Sequence, residues 1–350
     1  MVSTKSKANS FDIAHLAGVS QSTVSRALRN SPLVKTETIA KVQKIAREFN
    51  YKVDKHASSL RTKQSTTLAL LLFEDPTSDD SLINPFFLSM LGSITRTCTG
   101  KGYDLLVSFQ HQSNNWYADF EDNHKADGVI LLGYGDDVDY QPKLKQLEKQ
   151  GTQYVRWGAS SGTLCVSSDN RQGGRQATEH LIGLGHQKIA FIGTASHHYP
   201  EFFDRYQGHA EALLTAGLSL NPKLQHDAIT TEKEGYEAAN NLLLQHQRQP
   251  FTAIFAASDL IAIGVMQALT QHGLIPGKDI ALVGYDDLPF ARFTPVPLTT
   301  VRQNTKLAGE VLVDSLIRRI QGLPHEAESI ATQLMIRHSC GAITPPDRDR

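Results

Sequence analysis

The 350 residues are 40% hydrophobic and 20% charged, with a formal net charge of −1. That composition excludes a disordered chain, and no apolar run approaches the roughly 18 residues that a membrane-spanning helix needs. Three widely separated cysteines, Cys98, Cys165 and Cys340, exclude a disulfide scaffold and a CxxC metal site, and the N-terminus lacks the apolar stretch of a secretory signal, so a cytoplasmic protein of two or three domains is expected.

The charge is unevenly placed. Residues 1–63 hold twelve Lys and Arg against four Asp and Glu, a net +8, while the rest of the chain carries −9. A basic head on an acidic body is the footprint of a nucleic-acid-binding module joined to something else.

Within the head, Asn9 can cap a first helix with Asp12 as its capping-box partner, and Gly18 suits the bend that stops it. Ser20 can cap a second helix, whose Val24, Ala27 and Leu28 share one face. Two short helices across a Gly-containing turn predict a helix-turn-helix. A third helix follows from Thr36 as cap, with Ile39, Val42, Ile45, Ala46 and Phe49 at helical spacing. On the second helix Gln21, Ser22, Ser25 and Arg26 lie off the apolar face; Gln can read adenine, Arg guanine, and Ser either base or a phosphate.

The run DIAHLAGVSQSTVSRALRN, then Val34, then REFNYKVDKHASSLR, resembles the DNA-binding end of the lactose-repressor (LacI) family, densely across residues 9–61. One departure is Lys35, where that family often carries a capping Ser. The resemblance implies a DNA surface of Ser20, Gln21, Ser22, Thr23, Ser25, Arg26 and Arg29, with Asn50, Tyr51, Ala57 and Leu60 in a hinge over residues 50–64. In the family this hinge becomes a short helix on DNA, and Leu60 falls at the intercalating leucine. An apolar wedge of that kind can unstack a base step.

From Thr66 onward, apolar runs at Leu68–Phe73, Tyr103–Phe109, Gly128–Leu132, Gln153–Trp157, Lys188–Gly193, Ala253–Ala257 and Ile280–Gly284 read as strands. Amphipathic segments at Phe86–Thr99, Gly173–Leu184, Arg205–Ala216, Gly235–Leu244 and Leu260–His272 read as the intervening helices. This alternation predicts an α/β core of two doubly wound parallel-sheet subdomains behind an all-α helix-turn-helix head. Leu298–Gln303 and a helix over about Asn304–Gln321 are expected to return the chain to the first subdomain, and Ser329–His338 to complete the second. The expected organisation is a head at 1–49, the hinge at 50–64, a core at 65–343 and a tail at 344–350. The first subdomain would take about 65–169 and 301–323, the second about 170–300 and 324–343.

The family resemblance continues through NPFF, DGVILLG, ATEHLIGLGHQKIAFIG, DRYQGHAEAL, ASDLIAIGVMQAL and VGYDDLPFARFTPVPLTTVRQ, to about residue 340. It implies a core similar to periplasmic sugar-binding proteins, closing a cleft around a small effector. Ligands of doubly wound sheets sit at strand ends, which singles out Asp286 and Asp136. By resemblance Arg205 and Asp286 fall on the family's regular effector contacts, and Asp136, Phe87 and Ser258 on more variable ones. Asp and Arg suit vicinal hydroxyls, and Phe86 or Phe87 offers a face for stacking on a ring. Trp157 and Tyr199 are further cleft aromatics, with a core role preferred for Trp157.

No GxSxG, HExxH, GxxxxGK[ST] or strand-linked GxGxxG is present, and the His197–His198 pair lacks further ligands at metal spacing. Neither catalytic residues nor a cofactor nor a metal is expected. The reading is a ligand-responsive regulator, with repression the family's usual output and activation the other sign. Its expected partners are a pseudopalindromic double-stranded operator, a second copy of itself and a small effector, a sugar ahead of a purine or nucleoside; no membrane is expected. The chain runs to PPDRDR without a heptad tail, so a homodimer is expected rather than a tetramer. The competing class is a sugar-binding protein of the same core fold without a regulatory role, which leaves the +8 head unexplained.

Overall fold

The computed structural model describes residues 8–51, 65–73, 83–110, 125–133, 137–158, 165–246, 248–324 and 327–342. The chain divides into two units, Met1–Ser65 and Thr66–Arg350.

In the first unit, side-chain caps set the helix ends. Helix α1 (Ser10–Ala17) starts on Asn9, whose carbonyl oxygen accepts from the Phe11 and Asp12 amides, while the Asp12 carboxylate accepts the Asn9 amide at 2.8 Å. Gly18 ends it at φ 66°, a left-handed turn that costs glycine little. Ser20 accepts the Thr23 amide and starts α2 (Gln21–Leu28). Ile13, Ala17, Val24, Ala27 and Val42 bury one another between α1, α2 and α3 (Thr36–Glu48). The cap expected from Thr36 is not formed: Lys35 is the N-cap residue, no side chain bonds there, and Thr36 is already helical. The end is held by packing of Ile39 and Val42 instead. Asn9→Ala removes two bonds from orphan amides, a loss of about 1 kcal/mol. Amides of the first turn of α1 should then exchange with deuterium roughly fivefold faster; unchanged exchange would show that packing alone holds that end.

In the second unit the described residues form two six-stranded sheets. The first has the order β11 (Glu328–Ile330), β5 (Cys165–Ser168), β4 (Tyr154–Trp157), β3 (Val129–Leu132), β1 (Thr67–Phe73), β2 (Asp104–Gln110). The second runs β12 (Gln333–Met335), β10 (Thr299–Arg302), β9 (Ala281–Asp286), β8 (Ala253–Ala256), β6 (Ile189–Ile192), β7 (Gln225–His226). All pairs are parallel except β10 with β12.

Strand β1, TLALLLF, shows why the sheet is covered on both faces. Leu68, Leu70 and Leu72 enter one core with α4 (Pro85–Gly100) and α10 (Thr305–Ile320), while Ala69, Leu71 and Phe73 enter another with Leu144 and Leu147 of α5 (Asp137–Gln150). A strand buried on both sides reads as an unbroken apolar run. Around the second sheet lie α6 (Asn170–Gly183), α7 (Pro200–Thr215), α8 (Glu232–Gln245) and α9 (Asp259–Gln271).

Three differences from the sequence reading stand out. Leu298–Gln303 does not return the chain to the first sheet: β10 pairs with β9 (Thr299 with Val283) and stays in the second, so the crossing follows Arg302. Ser329–His338 is two strands, not one; β11 joins the first sheet beside β5, and two residues later β12 joins the second. An alternating pattern is the same whichever sheet it pairs with, so only tertiary hydrogen bonding settles the membership. Helix α5 has no counterpart among the expected elements, because it is mostly polar and carries Pro142 inside it.

Candidate functional site

On the first unit, α2 presents Gln21, Ser22, Arg26 and Arg29 to solvent, with Thr23 and Ser25 half-buried. The Gln21 amide donates to Ser10 Oγ at 2.6 Å, and Ser22 Oγ lies 2.9 Å from Ser20 Oγ. Arg29 folds back along the helix, donating to the Ser25 carbonyl at 3.1 Å and the Ser25 hydroxyl at 2.8 Å. Arg26 is exposed beside this network. Asn50 turns the chain at φ 50°, and Tyr51 packs against the head's core. Ala57, Leu60 and most of the expected hinge lie outside the described residues.

The second unit joins its two sheets through three strand-to-strand crossings, after β5, after β10 and between β11 and β12. Of the charged residues here, Asp286 ends β9 and Arg205 stands on α7. Arg205 is only 1% exposed. Its Nε donates to Asn170 Oδ1 at 2.9 Å and its Nη1 to the Ala257 carbonyl at 2.5 Å; the guanidinium stacks 3.9 Å from the Tyr285 ring centre. Asp286 Oδ1 lies 3.9 Å from Arg205 Nη1 and accepts from Gln303 Nε2 at 2.6 Å. Arg205 does not open its helix as the sequence suggests; α7 starts at Pro200, which places the arginine in the second turn.

Asp286 sits at φ 123°, a region that favours glycine, and Asp287 follows at φ 57°. Such backbone costs of order 1–3 kcal/mol and persists where the surroundings over-determine it. Here Asp287 is clamped by Arg302 Nε at 2.7 Å and by Arg337, while the Leu288 amide donates to Asp259 at 2.8 Å. Burial raises the Asp259 carboxyl well above the usual range, and the neighbouring Asp286 adds to the shift.

Burial pushes the Asp286 carboxyl up to about 6, against the opposing pull of Arg205 and the Gln303 bond. The folded chain therefore binds this proton more tightly than the unfolded chain, whose carboxyl titrates near ~4. Its contribution to stability is intact below that range and is lost as pH rises through about 6. Relative to Asp286→Asn, the wild-type urea midpoint should thus fall between pH 4 and 7; a pH-independent difference would refute the shift.

The strand ends of the first sheet form a cavity walled by Phe73, Gly133, Tyr140 and Trp157, with Asp137 and Arg156 at its side. Arg156 Nη2 donates to Asp137 Oδ1 at 2.8 Å. Pro200 and Glu201 of α7 complete the wall from the second sheet's side; against the lowering effect of burial, Cys165, the Asp137 bond and the charge of Glu201 hold the Arg156 pKa above its ordinary value. The Asp137 amide donates to the His198 carbonyl at 2.9 Å, tying the two halves together.

Of the sequence candidates, Arg205 and Asp286 meet. Phe86 lines a groove with Asp286, Gln303 and Arg302. Phe87 is fully buried in the first core, edge-on to Phe86 at 5.3 Å, and Ser258 caps α9 through the Ile261 amide. Asp136 lies outside the described residues. Trp157 is both core, 5.8 Å from Phe86, and cavity wall. Sequence reading missed Asn170, Asp137, Arg156, Glu201 and Gln303. Asp137 and Arg156 were findable as charges at the C-terminal ends of apolar strands or just beyond them; Glu201 was hidden in a loop whose helix start was misjudged.

Residues 11–54 match the family described as bacterial regulatory proteins, lacI family, and residues 178–340 match a periplasmic binding protein-like domain. The chain is 32% identical to the ribose operon repressor of Escherichia coli (strain K12), over 88% of this chain and 92% of the relative. It is 28% identical to the HTH-type transcriptional repressor PurR of Haemophilus influenzae (strain PittEE), over 95% and 98%. Among solved structures, a transcriptional regulator CelR–cellobiose complex superposes with a TM-score of 0.68 at 30% identity, covering 95% of this chain and 99% of that one.

Proposed function

Given that the chain belongs to the LacI family of bacterial regulatory proteins, a family of DNA-binding transcriptional regulators and not of enzymes, we propose that its core binds a neutral sugar and that occupancy sets its affinity for operator DNA. One observation carries this reading: the strand ends of the second sheet hold the buried Arg205–Asp286 pair, those of the first hold the Asp137–Arg156 pair, and Glu201, one turn before Arg205 on α7, shares a cavity wall with Asp137 and Arg156. Paired carboxylates and guanidinium groups supply the acceptors and donors that vicinal hydroxyls need, and the cations are already matched by acids, which disfavours an anionic effector. A structural relative is named for its complex with cellobiose, and a sequence relative for the ribose operon. A purine or nucleoside fits less well, since Phe87, the stacking face it would use, is sealed in the core.

The effector acts by linkage: it shifts DNA affinity only through its different affinity for two arrangements of the cleft. The protein works in the cytoplasm as a homodimer, because one head reads few base pairs and a pseudopalindrome needs two. Phe86, Asp136 and Ser258 stay as secondary effector positions, with Phe87 sealed in the core and packed edge-on behind Phe86, and Asn50, Tyr51, Ala57 and Leu60 stay as hinge contacts to the minor groove. A thermal-shift screen of mono- and disaccharides, nucleobases and nucleosides tests the reading; a purine hit with no sugar hit would overturn it.

On the head, Ser22 and Arg26 are the outward tips for base reading, with Ser20, Gln21, Thr23, Ser25 and Arg29 around them. Arg26→Ala should weaken operator binding by roughly 1–3 kcal/mol and relax preference at one position per half-site. A uniform loss on operator and unrelated DNA in gel shifts would assign Arg26 to the phosphates instead.

A further inference from the structure

A second cavity, of about 300 Å³, lies beside β6 and β7, away from the cleft residues. Its size is at the lower end of the range of small-molecule sites. Its floor is aromatic: Phe191 of β6 meets Tyr206 of α7 at 5.3 Å and His209 at 5.6 Å between ring centres. Leu213 and Leu218 extend the apolar wall, and Lys188 stands at the rim. Among the described residues no Asp or Glu lines it, and none of the lining side chains carries the negative charge that a cation would need.

His209 gives this cavity a defined polarity. Thr178 Oγ1 spends its hydrogen on the Gly174 carbonyl at 2.9 Å, so towards His209 it can only accept. The 2.9 Å contact between Thr178 Oγ1 and His209 Nδ1 is therefore donated by Nδ1–H. Burial pushes the imidazole down to about 3, so the ring is neutral. A neutral ring protonated on Nδ1 carries a lone pair on Nε2, and among the described residues no donor reaches that nitrogen. The residue is 2% exposed and lines the cavity. A neutral acceptor in an aromatic pocket selects a molecule that brings one donor and a flat apolar face.

We propose that this cavity is a second small-molecule site, for a compact uncharged aromatic carrying one hydrogen-bond donor, a phenolic O–H or an indole-type N–H, accepted by His209 Nε2. The site is separate from the sugar cleft, although α7 carries both Arg205 and His209, one turn apart.

Phenol and indole, titrated into the full chain, should bind saturably by ligand-observed NMR and shift the His209 side-chain nitrogen resonances. Toluene, which keeps the ring and lacks the donor, should bind about tenfold more weakly. Leu218→Trp, which fills the cavity and leaves the His209–Thr178 bond, should abolish phenol binding while sugar binding in the cleft persists; His209→Phe should remove the preference for phenol over toluene. Equal binding of phenol and toluene, phenol binding that survives Leu218→Trp, or no saturable binding would each overturn the proposal. Because the sugar arm is read separately, failure here leaves the cleft assignment standing, and failure there leaves this one.

Discussion

Arg205→Ala should abolish effector binding and lower the stability of the second unit by roughly 3–5 kcal/mol, the usual cost of removing one partner from a buried pair. The side chain is held by Asn170, the Ala257 carbonyl and the Tyr285 ring, and its positive charge is the group that opposes the upward shift of Asp286. Alanine leaves three polar neighbours facing a void, and the Asp286 carboxyl then titrates higher still. Arg205→Lys keeps the charge but cannot stack flat on Tyr285 or reach two acceptors in a fork, so it should recover part of the stability and little of the affinity. Urea unfolding and calorimetric titration with the best sugar from the screen measure both effects. An alanine variant that unfolds at the wild-type midpoint and still binds sugar would remove Arg205 from the site.

Gly208→Val should also destabilise the second unit, by about 3 kcal/mol, without touching the ligand. Helices α6 and α7 cross with their main chains in contact: a Cβ on Gly208 would overlap the Arg171 carbonyl, and one on Gly174 would overlap the Arg205 carbonyl. Overpacking costs about 1–3 kcal/mol where side chains can give way. Here the obstacle is backbone on both sides, so the loss should reach the top of that range, and Gly208→Ala should show a smaller loss of the same sign. Since α7 carries Arg205, sugar affinity should fall with stability. A valine variant with an unchanged urea midpoint would mean that the helices separate at no cost.

Much of this protein was legible before any fold was known. The basic head was visible as charge, its first two helices as caps at Asn9 and Ser20, Asp286 as a carboxylate at a strand end, and Arg205 through the family resemblance. These signals are local, or rest on a resemblance dense enough to number the positions. The α/β alternation likewise follows from period and length, as β1 shows with its unbroken apolar run.

What only the tertiary structure decided has a common physical cause: it depends on which partner a segment meets, and a segment's own pattern does not encode its partner. The strands at 299–302 and 328–335 keep the same alternation whichever sheet they join, and pairing alone divides them between the two. Phe87 carries no mark that it is sealed in the core rather than open to a ligand. The tautomer of His209 is set by Thr178, 31 residues away in the chain, and the strained turn at Asp286 by Arg302 and Arg337 clamping the next residue. Sequence determined which chemical groups this protein has and the helices and strands that carry them; three-dimensional pairing determined which of those groups face each other, and therefore which can act together.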